Sequence, residues 1–335
     1  MTHRPGMKCP PLIGATAVAL LCATVSTHAQ QDAATGPGQA FPVKAITLLI
    51  PFPPGTGNDI VGRLIGNKMS ENFGQRVVAD NRAGASGNIA IDAARRAAPD
   101  GYTLVVASTS FAINLHTMKT GHTLADFTPV AMIGKLPYTL MVSKSVPAKT
   151  LKELIDYLKA RPGQLNAGQG GPTGTTYFLT ETLRKTAGVD VQSVPYKGTT
   201  AGMMDLLADR MHLMFAPMVT SLPHYQAGKV QVHGVTGNKR SALMTEVPTF
   251  IELGYPMLDI PTWFAFIGPA GIPRSTVKIL SDGVARALAS KDVVDALVHQ
   301  GVEPSYGSPA ELDAFLKTDT AMWARLVKEA GIKPQ

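Results

Sequence analysis

The chain has 335 residues, of which 45% are hydrophobic and 16% charged, so it can bury the core of two ordinary domains or one large one. Its formal net charge is +7 at pH 7, and the basic residues are scattered rather than gathered in a run. This pattern argues against nucleic acid as a partner and suits anionic ligands only weakly.

Residues 1–29 have the pattern of a secretory signal peptide. Arg4 and Lys8 precede an apolar run, Leu12–Val25, which is shorter than the roughly 20 residues of a membrane span. Small residues then stand around Ala29. We therefore expect cleavage after about Ala29 and a periplasmic mature protein, rather than a retained membrane anchor.

Both cysteines of the chain, Cys9 and Cys22, would leave with this segment. The mature chain is therefore expected to contain no disulfide, no cysteine nucleophile and no cysteine metal ligand. Residues 30–40 form a polar, glycine-containing stretch, for which we expect a disordered N-terminal tail.

From residue 41 onward, apolar runs of strand length alternate with stretches of helical periodicity. In the first part, AITLLI, RVVAD and TLVVAS are predicted strands, and IVGRLIGNKMSENF and NIAIDAARRAA are the helices between them. In the middle, the predicted strands are YTLMVS, QLNAG, VQSVPYKG, HLMFAP and VQVHGVTG, again with helices between them. Such alternation predicts an α/β fold in which mostly parallel sheets are flanked by helices.

The end of the chain differs from the rest. PTWFAFIGP is a predicted strand, no further strand is predicted, and three helical stretches follow near Arg274–Ser290, Val293–Gln300 and Pro309–Ala330. We expect these helices to return to the first lobe and cover it.

The order of the elements predicts two lobes. Lobe 1 would comprise residues 41–137 plus 263–335, and lobe 2 residues 138–262. The two crossings between them, near Leu136–Tyr138 and Pro261–Trp263, would form a hinge.

Six loops that follow predicted strands are rich in Gly, Ser, Thr and Asn, and each leads into a helix. They read PFPPGTGND, NRAGASGN, STSFAIN, GQGGPTGTT, YKGTT and APMVT. Ligands of open α/β sheets bind at the carboxyl ends of strands, and free N–H groups at helix N-termini attract small anions. Each loop alone could be an ordinary turn or helix cap, but six of them favour an anion site.

The spacing of these loops argues against nucleotides and against catalysis. Gly55 and Gly57 begin a G-x-G-x-x-G pattern, but Ile60 takes the last place, and no loop carries the lysine of a P-loop. GASGN does not match G-x-S-x-G, and the histidines lack metal-binding spacing, so no catalytic residue, metal or cofactor is predicted. Asp59 and Asp205 could act as bases, but a helix start and a neighbouring arginine explain them equally well. A carboxylate is the anion that suits such loops best.

Seven motifs, in this order, resemble those of the tripartite tricarboxylate transporter receptor family, also called Bug. They stand at Pro51–Asp59, Asp80–Ile89, Ala98–Leu104, Ser108–Asn114, Val194–Ala208, Glu246–Pro256 and Trp263–Pro273, so that the resemblance covers about residues 41–334. It implies a two-lobed periplasmic binding protein, type II-like, with the ligand cleft between the lobes. Such a protein would capture a small carboxylate, without catalysis, and hand it as a monomer to the membrane permease of the transporter.

The resemblance also implies which residues bind the ligand. In lobe 1 they are Phe52, Gly55, Thr56, Gly57, Asn58, Asp59, Ala85, Ser86, Asn88, Ser108, Thr109 and Ser110. In lobe 2 they are Gly171, Thr173, Thr175, Thr176, Tyr196, Lys197, Gly198, Ala216 and Pro217. Lobe 1 would hold one ligand carboxylate through backbone N–H groups and ordered water, and lobe 2 would set specificity.

Three residues depart from the family pattern, which more often has Gly at Thr56, His at Phe111 and Asp or Asn at Ala216. The last two predict a more apolar cleft and hence a ligand with a larger apolar body, such as an aromatic carboxylate, unless they are neutral drift. Two other functions stay open. One is an exported hydrolase of carboxylate esters, although no Ser or Asp nucleophile paired with His is evident, and the other is a ligand-sensing partner of a membrane sensor kinase.

Overall fold

The computed structural model describes residues 41–170, 174–196 and 198–333. The predicted signal peptide and tail lie outside this part of the chain, as do Gly171, Thr173 and Lys197 of the predicted site. Within the described part, no helix is both long enough and apolar enough to cross a membrane.

The described residues form alternating strands and helices. The first group is β1 (Ile46–Ile50), α1 (Gly57–Phe73), β2 (Val77–Asn81), α2 (Asn88–Arg95), β3 (Thr103–Ser108), α3 (Thr109–Thr117) and β4 (Phe127–Lys135). The second is β5 (Tyr138–Ser143), α4 (Leu151–Lys159), β6 (Asn166–Gln169), α5 (Thr175–Ala187), β7 (Gln192–Pro195), α6 (Thr199–Leu207), β8 (Leu213–Pro217), α7 (Met218–Gln226) and β9 (Val230–Val235). The last is β10 (Trp263–Pro269), α8 (Arg274–Leu288), α9 (Lys291–His299), β11 (Glu303–Gly307) and α10 (Pro309–Glu329).

The strands form two sheets, ordered β11-β4-β10-β3-β1-β2 and β7-β6-β8-β5-β9. The predicted two-lobed α/β fold is confirmed, but the sheets are mixed rather than mostly parallel. Strand β1 runs parallel to β2 and β3, whereas β10 is antiparallel to both β3 and β4. In the other sheet, β6 is parallel to β7 and β8, whereas β5 is antiparallel to β8 and β9. The reversed strands β5 and β10 are those by which the chain enters each sheet from the other one.

Two strands were not predicted from the sequence. Strand β4 contains Pro129 and Gly134, which weaken the signal of an otherwise apolar run. Strand β11 reads EPSYG and lies at a sheet edge, where a proline is tolerated because one side of the strand has no partner. The prediction of no strand after PTWFAFIGP was therefore wrong.

The two crossings between the sheets lie side by side. The Leu136 N–H donates to the Thr262 carbonyl over 3.0 Å, and the Thr262 hydroxyl donates to the Leu136 carbonyl. The Met218 N–H of α7 donates to the Pro137 carbonyl over 2.8 Å. This paired segment extends the β4–β10 ladder and is the only covalent route between the sheets that the described residues contain.

Helix α10 packs against elements of both sheets. It begins with a capping box, in which Ser308 and Glu311 satisfy each other's backbone N–H groups. Its buried side chains share one apolar cluster with Phe111 of α3 and Phe178 of α5, and these three helices belong to different parts of the chain. Helices α8 and α9 pack on α1 of lobe 1, whereas α10 also reaches α5. The prediction that the last helices cover lobe 1 therefore describes only part of their arrangement.

Candidate functional site

Asp59, a residue that is 4% exposed, stabilises the loop between β1 and α1. Its carboxylate accepts hydrogen bonds from the Gly55 N–H at 2.9 Å, the Asn81 amide at 2.9 Å and the Arg63 guanidinium at 2.8 Å. Burial raises the pKa of Asp59, but these donors outweigh it, and the net pKa lies below its usual value. Asp59 therefore shapes the loop, and we place it beneath the ligand surface rather than on it.

Thr56 uses its hydroxyl inside the same loop, where it donates to the Pro53 carbonyl over 2.8 Å. It is the N-cap of α1, and its carbonyl accepts the Ile60 N–H at 2.9 Å. Because the hydroxyl is turned back, it does not cap the helix, and the first N–H groups of α1 keep no side-chain acceptor among the described residues.

Residues 84–87 form a strained turn at the end of β2. Their φ angles are +128° at Gly84, +46° at Ala85, +53° at Ser86 and +96° at Gly87. Ala85 and Ser86 carry side chains in the left-handed region, which costs about 1–3 kcal/mol per residue and is typically retained at functional positions. The Asn114 amide donates to the Ser86 carbonyl over 2.9 Å and stabilises the turn.

Gly87 also lies close to the neighbouring loop. A Cβ atom at this position would come within 2.9 Å of Pro51 Cβ and 3.4 Å of the Phe52 ring. The loop after β1 and the turn after β2 are therefore in contact, as expected for two loops at the same edge of a sheet.

The start of α3 completes this surface. The Asn58 amide donates to Ser108 Oγ at 3.2 Å and to the Val106 carbonyl at 3.4 Å, and Ser108 Oγ lies 3.0 Å from Ser110 Oγ. Thr109 faces the other way, since its Oγ1 accepts the Trp263 N–H at 3.0 Å. A shallow depression is lined by residues of all three loops, Pro51, Ser86, Gly87, Ser108, Ser110 and Asn114 among them.

In lobe 2, the predicted residues surround the starts of α5 and α6. The Thr176 hydroxyl accepts the Gly170 N–H at 2.9 Å, and the Tyr196 N–H donates to the Gln169 carbonyl at 2.8 Å. Gly198 precedes α6 with a φ of +109°. The loops after β6 and β7 are thus joined to each other, as the loops of lobe 1 are.

Two tyrosines of this region use their hydroxyl groups within the protein. Tyr196 donates to Asp205 Oδ2 over 2.7 Å, and burial together with this carboxylate raises the pKa of Tyr196 to about 12. Burial raises the pKa of Tyr138 to about 12 as well, and a hydrogen bond with Thr175 partly opposes that rise. The Tyr196 hydroxyl is therefore occupied within the protein, and its ring packs against the methionine cluster beneath β8.

Phe111 and Ala216, from which the sequence predicts an apolar wall, are both buried. Phe111 is 2% exposed, its ring lies parallel to His122 and edge-on to Phe127, at centroid distances of 6.2 and 5.3 Å, and it also lines the depression of lobe 1. Ala216 is fully buried at 0% exposure, among the methionines beneath β8, and Pro217 after it is the N-cap of α7. Burial therefore removes Ala216 from the argument that these two substitutions select an apolar ligand.

The helix ends at this cleft share one property. In the described part of the chain, no side chain caps the N-terminus of α1, α2, α3, α5, α6 or α7, which begin at the six predicted loops. Away from the cleft, Thr150 caps α4 and Ser308 caps α10, although α8 and α9 also have no side-chain cap. The N–H groups at the cleft are thus available to an external acceptor.

Sequence reasoning missed Asn81 and Asn114, which hold the loops of lobe 1. Both stand inside motifs given above, Asp80–Ile89 and Ser108–Asn114. Asn81 is the last residue of β2, and Asn114 lies in the second turn of α3. Their position was a usable signal, because amide side chains at strand ends are well placed to bond neighbouring loop carbonyls.

A cavity of about 950 Å³ lies on the other flank of the hinge. Leu136, Thr262, residues 236–243 and part of β11 contribute to its wall, and none of the described residues predicted to bind ligand does. The size of this cavity and the chemistry of the loops therefore indicate different places, and the loop chemistry defines the candidate site.

Comparison with known proteins identifies the family of the chain. The profile of the tripartite tricarboxylate transporter family receptor matches residues 61–332. BugT of Bordetella pertussis is 33% identical over 297 residues, which cover 88% of this chain and 91% of BugT. R. palustris Rpa4515 with adipate is 34% identical with a TM-score of 0.74, covering 88% of this chain and 100% of that one. MatC (Rpa3494) from Rhodopseudomonas palustris with bound malate is 29% identical with a TM-score of 0.70, covering 86% and 100% of the two chains. The chain belongs to the tripartite tricarboxylate transporter receptor family, whose members are solute-binding receptors rather than enzymes.

Proposed function

We propose that this receptor captures a small carboxylate in the periplasm, closes its two lobes on it, and delivers it to the membrane permease of a tripartite tricarboxylate transporter. The observation that carries the proposal is that six helix N-termini without a side-chain cap stand at the predicted loops, three in lobe 1 and three in lobe 2. Backbone N–H groups at such ends bind anions by hydrogen bonds and by the positive end of the helix dipole.

A carboxylate fits this cleft better than a phosphate ester does. The arginine nearest the first loop, Arg63, is bound to Asp59 and to Asn81 Oδ1, the latter at 2.7 Å, and is thereby occupied. The depression in lobe 1 is lined by small, hydroxyl and amide residues together with Ile91, Val106 and Phe111, without a lysine or arginine among its described lining residues. Two solved relatives, with adipate and with malate, are consistent with a ligand that has a carboxylate at each end.

The two lobes would then contact different parts of the ligand. Lobe 1, residues 41–137 plus 263–335, would hold the carboxylate, and lobe 2, residues 138–262, would contact the rest of the ligand. A ligand shifts the equilibrium toward closure only by its extra contacts in the closed state, so it must touch both lobes. The paired crossings at Leu136 and Thr262 are the hinge about which a monomer would close.

The experiment is a thermal-shift and calorimetric screen of the mature chain with adipate, malate and benzoate. Adipamide, which has the shape of adipate without its charges, is the matched control. At a concentration of 100 times Kd, a ligand should stabilise the folded state by about 2.7 kcal/mol. The proposal fails if no carboxylate raises Tm while a neutral sugar or an amine does.

Delivery needs a separate measurement, because binding alone does not demonstrate transport. Cells that lack this receptor should lose uptake of the radiolabelled carboxylate and regain it on complementation with the wild-type gene. Complementation with a non-binding variant is the control, and restored uptake with that variant would contradict the delivery step.

A further inference from the structure

Both tryptophans of the chain lie beside one buried carboxylate, that of Asp319 on α10. Asp319 is 2% exposed, and its Oδ2 accepts the Trp263 indole N–H at 3.0 Å. Among the described residues, Oδ1 has no hydrogen-bond partner within normal distance. The Trp323 indole N–H also has no partner within hydrogen-bond distance among these residues. Burial raises the pKa of Asp319 to about 7, and the hydrogen bond from the Trp263 indole opposes this rise.

A carboxylate at this place is unexpected from packing alone. Asp319 stands in the buried stripe of α10, between Leu316 and Trp323, which pack in a large apolar cluster. A buried charged group is costly, and an apolar residue of similar size would usually stabilise the fold as well or better. The presence of Asp319 therefore indicates a role that an apolar side chain could not supply.

Trp263 connects Asp319 to the ligand loops of lobe 1. It is the first residue of β10 and directly follows Thr262 of the hinge. While its indole donates to Asp319, its backbone N–H donates to Thr109 Oγ1 over 3.0 Å. Thr109 is the first residue of α3 and lies between Ser108 and Ser110, so two hydrogen bonds lead from α10 to the candidate site.

The same helix also reaches lobe 2. Trp323, one turn beyond Asp319, packs edge-on against Phe178 of α5 at a centroid distance of 5.0 Å. Helix α5 begins with Thr175 and Thr176 of the candidate site. Near the end of α10, the Lys185 ammonium of α5 donates to the Glu329 carbonyl over 2.6 Å.

We propose that Asp319 is a positioning residue for the ligand site, which acts through Trp263 to hold the start of α3 and, through α10, links that start to helix α5 of the other lobe. The inference rests on the proposed function, because it assigns Asp319 to the same cleft. In this proposal, helix α10 couples the movements of the two binding surfaces.

The first experiment needs no ligand. Hydrogen exchange of the unliganded mature chain is compared among the wild type, Asp319→Ala, Asp319→Asn and Leu316→Ala. Asp319→Ala removes the acceptor, and we expect about tenfold faster exchange at the Trp263 amide and in the first turn of α3, as for the loss of one buried hydrogen bond. Asp319→Asn keeps a carbonyl acceptor and should stay within about threefold of the wild type.

Leu316→Ala is the control for a purely structural effect, since Leu316 is fully buried on the same helix and makes apolar contacts. It should accelerate exchange broadly, without selecting Trp263 and the start of α3. If it reproduces the selective pattern, or if Asp319→Ala leaves that pattern unchanged, the proposal is wrong. Should Asp319→Ala fail to fold, Trp263→Phe removes the same hydrogen bond from the other partner and must give the same selective change.

The second experiment uses adipate as the probe. If the wild type binds adipate, Asp319→Ala should weaken the affinity at least fivefold, and Asp319→Asn should restore it to within about twofold. Equal affinities for all three proteins would overturn the proposal. If the wild type does not bind adipate, the choice of ligand is wrong, and the exchange experiment still decides whether Asp319 positions α3.

Discussion

In lobe 1, amide side chains of Asn58, Asn81 and Asn114, together with Asp59, fix the loops that face the cleft. In lobe 2, the described residues show fewer side-chain bonds to the loops, and the core beneath them is rich in methionine, with Met141, Met203, Met211 and Met214 in one cluster. Methionine fills irregular space and adapts to change, whereas a satisfied polar network has one geometry. The difference suggests a rigid half that recognises the feature common to all ligands, and an adaptable half that follows the remainder of each ligand.

The largest expected effect on stability comes from a substitution at Gly87 in lobe 1, the more rigid half. Gly87→Ala would place a Cβ atom 2.9 Å from Pro51 Cβ at a φ of +96°, so we expect a loss of about 3 kcal/mol in the free energy of unfolding. Urea denaturation measures this loss. Gly174→Ala before α5 is the corresponding change in lobe 2 without strain, because its φ is −86° and the added atom meets none of the described residues within 4 Å; a similar loss there would contradict the contrast.

Asp59→Ala tests the same half without a steric clash. The Gly55 N–H and the Asn81 amide lose their acceptor, and we expect a loss of about 2 kcal/mol in stability and at least tenfold in carboxylate affinity. The control is Asp156→Ala, whose partner Lys152 is exposed on α4 of lobe 2 and whose removal should cost less than about 1 kcal/mol. Chemical denaturation and calorimetry separate the two quantities.

The pH dependence of the free energy of unfolding tests the role of Asp319 on α10, the helix that contacts both lobes. Because the pKa of Asp319 is raised to about 7, the folded state holds a proton that the unfolded state releases near its ordinary value of 3.8. The free energy of unfolding should therefore fall as pH rises from about 4 to about 7, by roughly 3 kcal/mol between pH 5 and 8, and level off above that.

Asp319→Asn should abolish this fall, as measured by urea denaturation at a series of pH values. His233 acts in the opposite direction, since burial lowers its pKa to about 4 and its contribution is lost as pH falls below 6.5. His116, on α3 opposite Thr320 of α10, also has a pKa lowered by burial. Both histidines are present in the two proteins, so the difference between the curves isolates Asp319; parallel curves would contradict the prediction.

The smallest effect is expected from the adaptable half. Met214→Leu should cost less than about 1 kcal/mol in stability, because the two side chains have similar volumes. It should nevertheless change the ratio of the affinities for adipate and malate by about threefold, as a stiffer core limits how the loops of lobe 2 adjust. Met69→Leu on α1 is the control in lobe 1, and an equal change of the ratio in that variant would argue against a special role of lobe 2.

The sequence predicts the positions of the candidate loops well, because each combines a strand end, a turn residue and a helix start within a few residues. The reversal of β5 and β10 has no local signal, since it follows from where the chain crosses between sheets. The directions of side chains were the main source of error. Thr109 and Asp59 turn inward, and Phe111 and Ala216 are buried, which residue type alone does not reveal. The contact between Trp263 and Asp319 joins residues 56 positions apart, and no pattern along the chain indicates it.

The placement of both tryptophans around Asp319 has an optical consequence. Trp263 adjoins the hinge and Trp323 contacts α5, so the tryptophan emission of the whole chain originates at the junction of the two lobes. If the lobes open and close as proposed, the Trp323–Phe178 contact spans the moving boundary, and no other indole contributes background. The receptor would thus carry its own unlabelled reporter of lobe movement, which stopped-flow fluorescence can follow in real time.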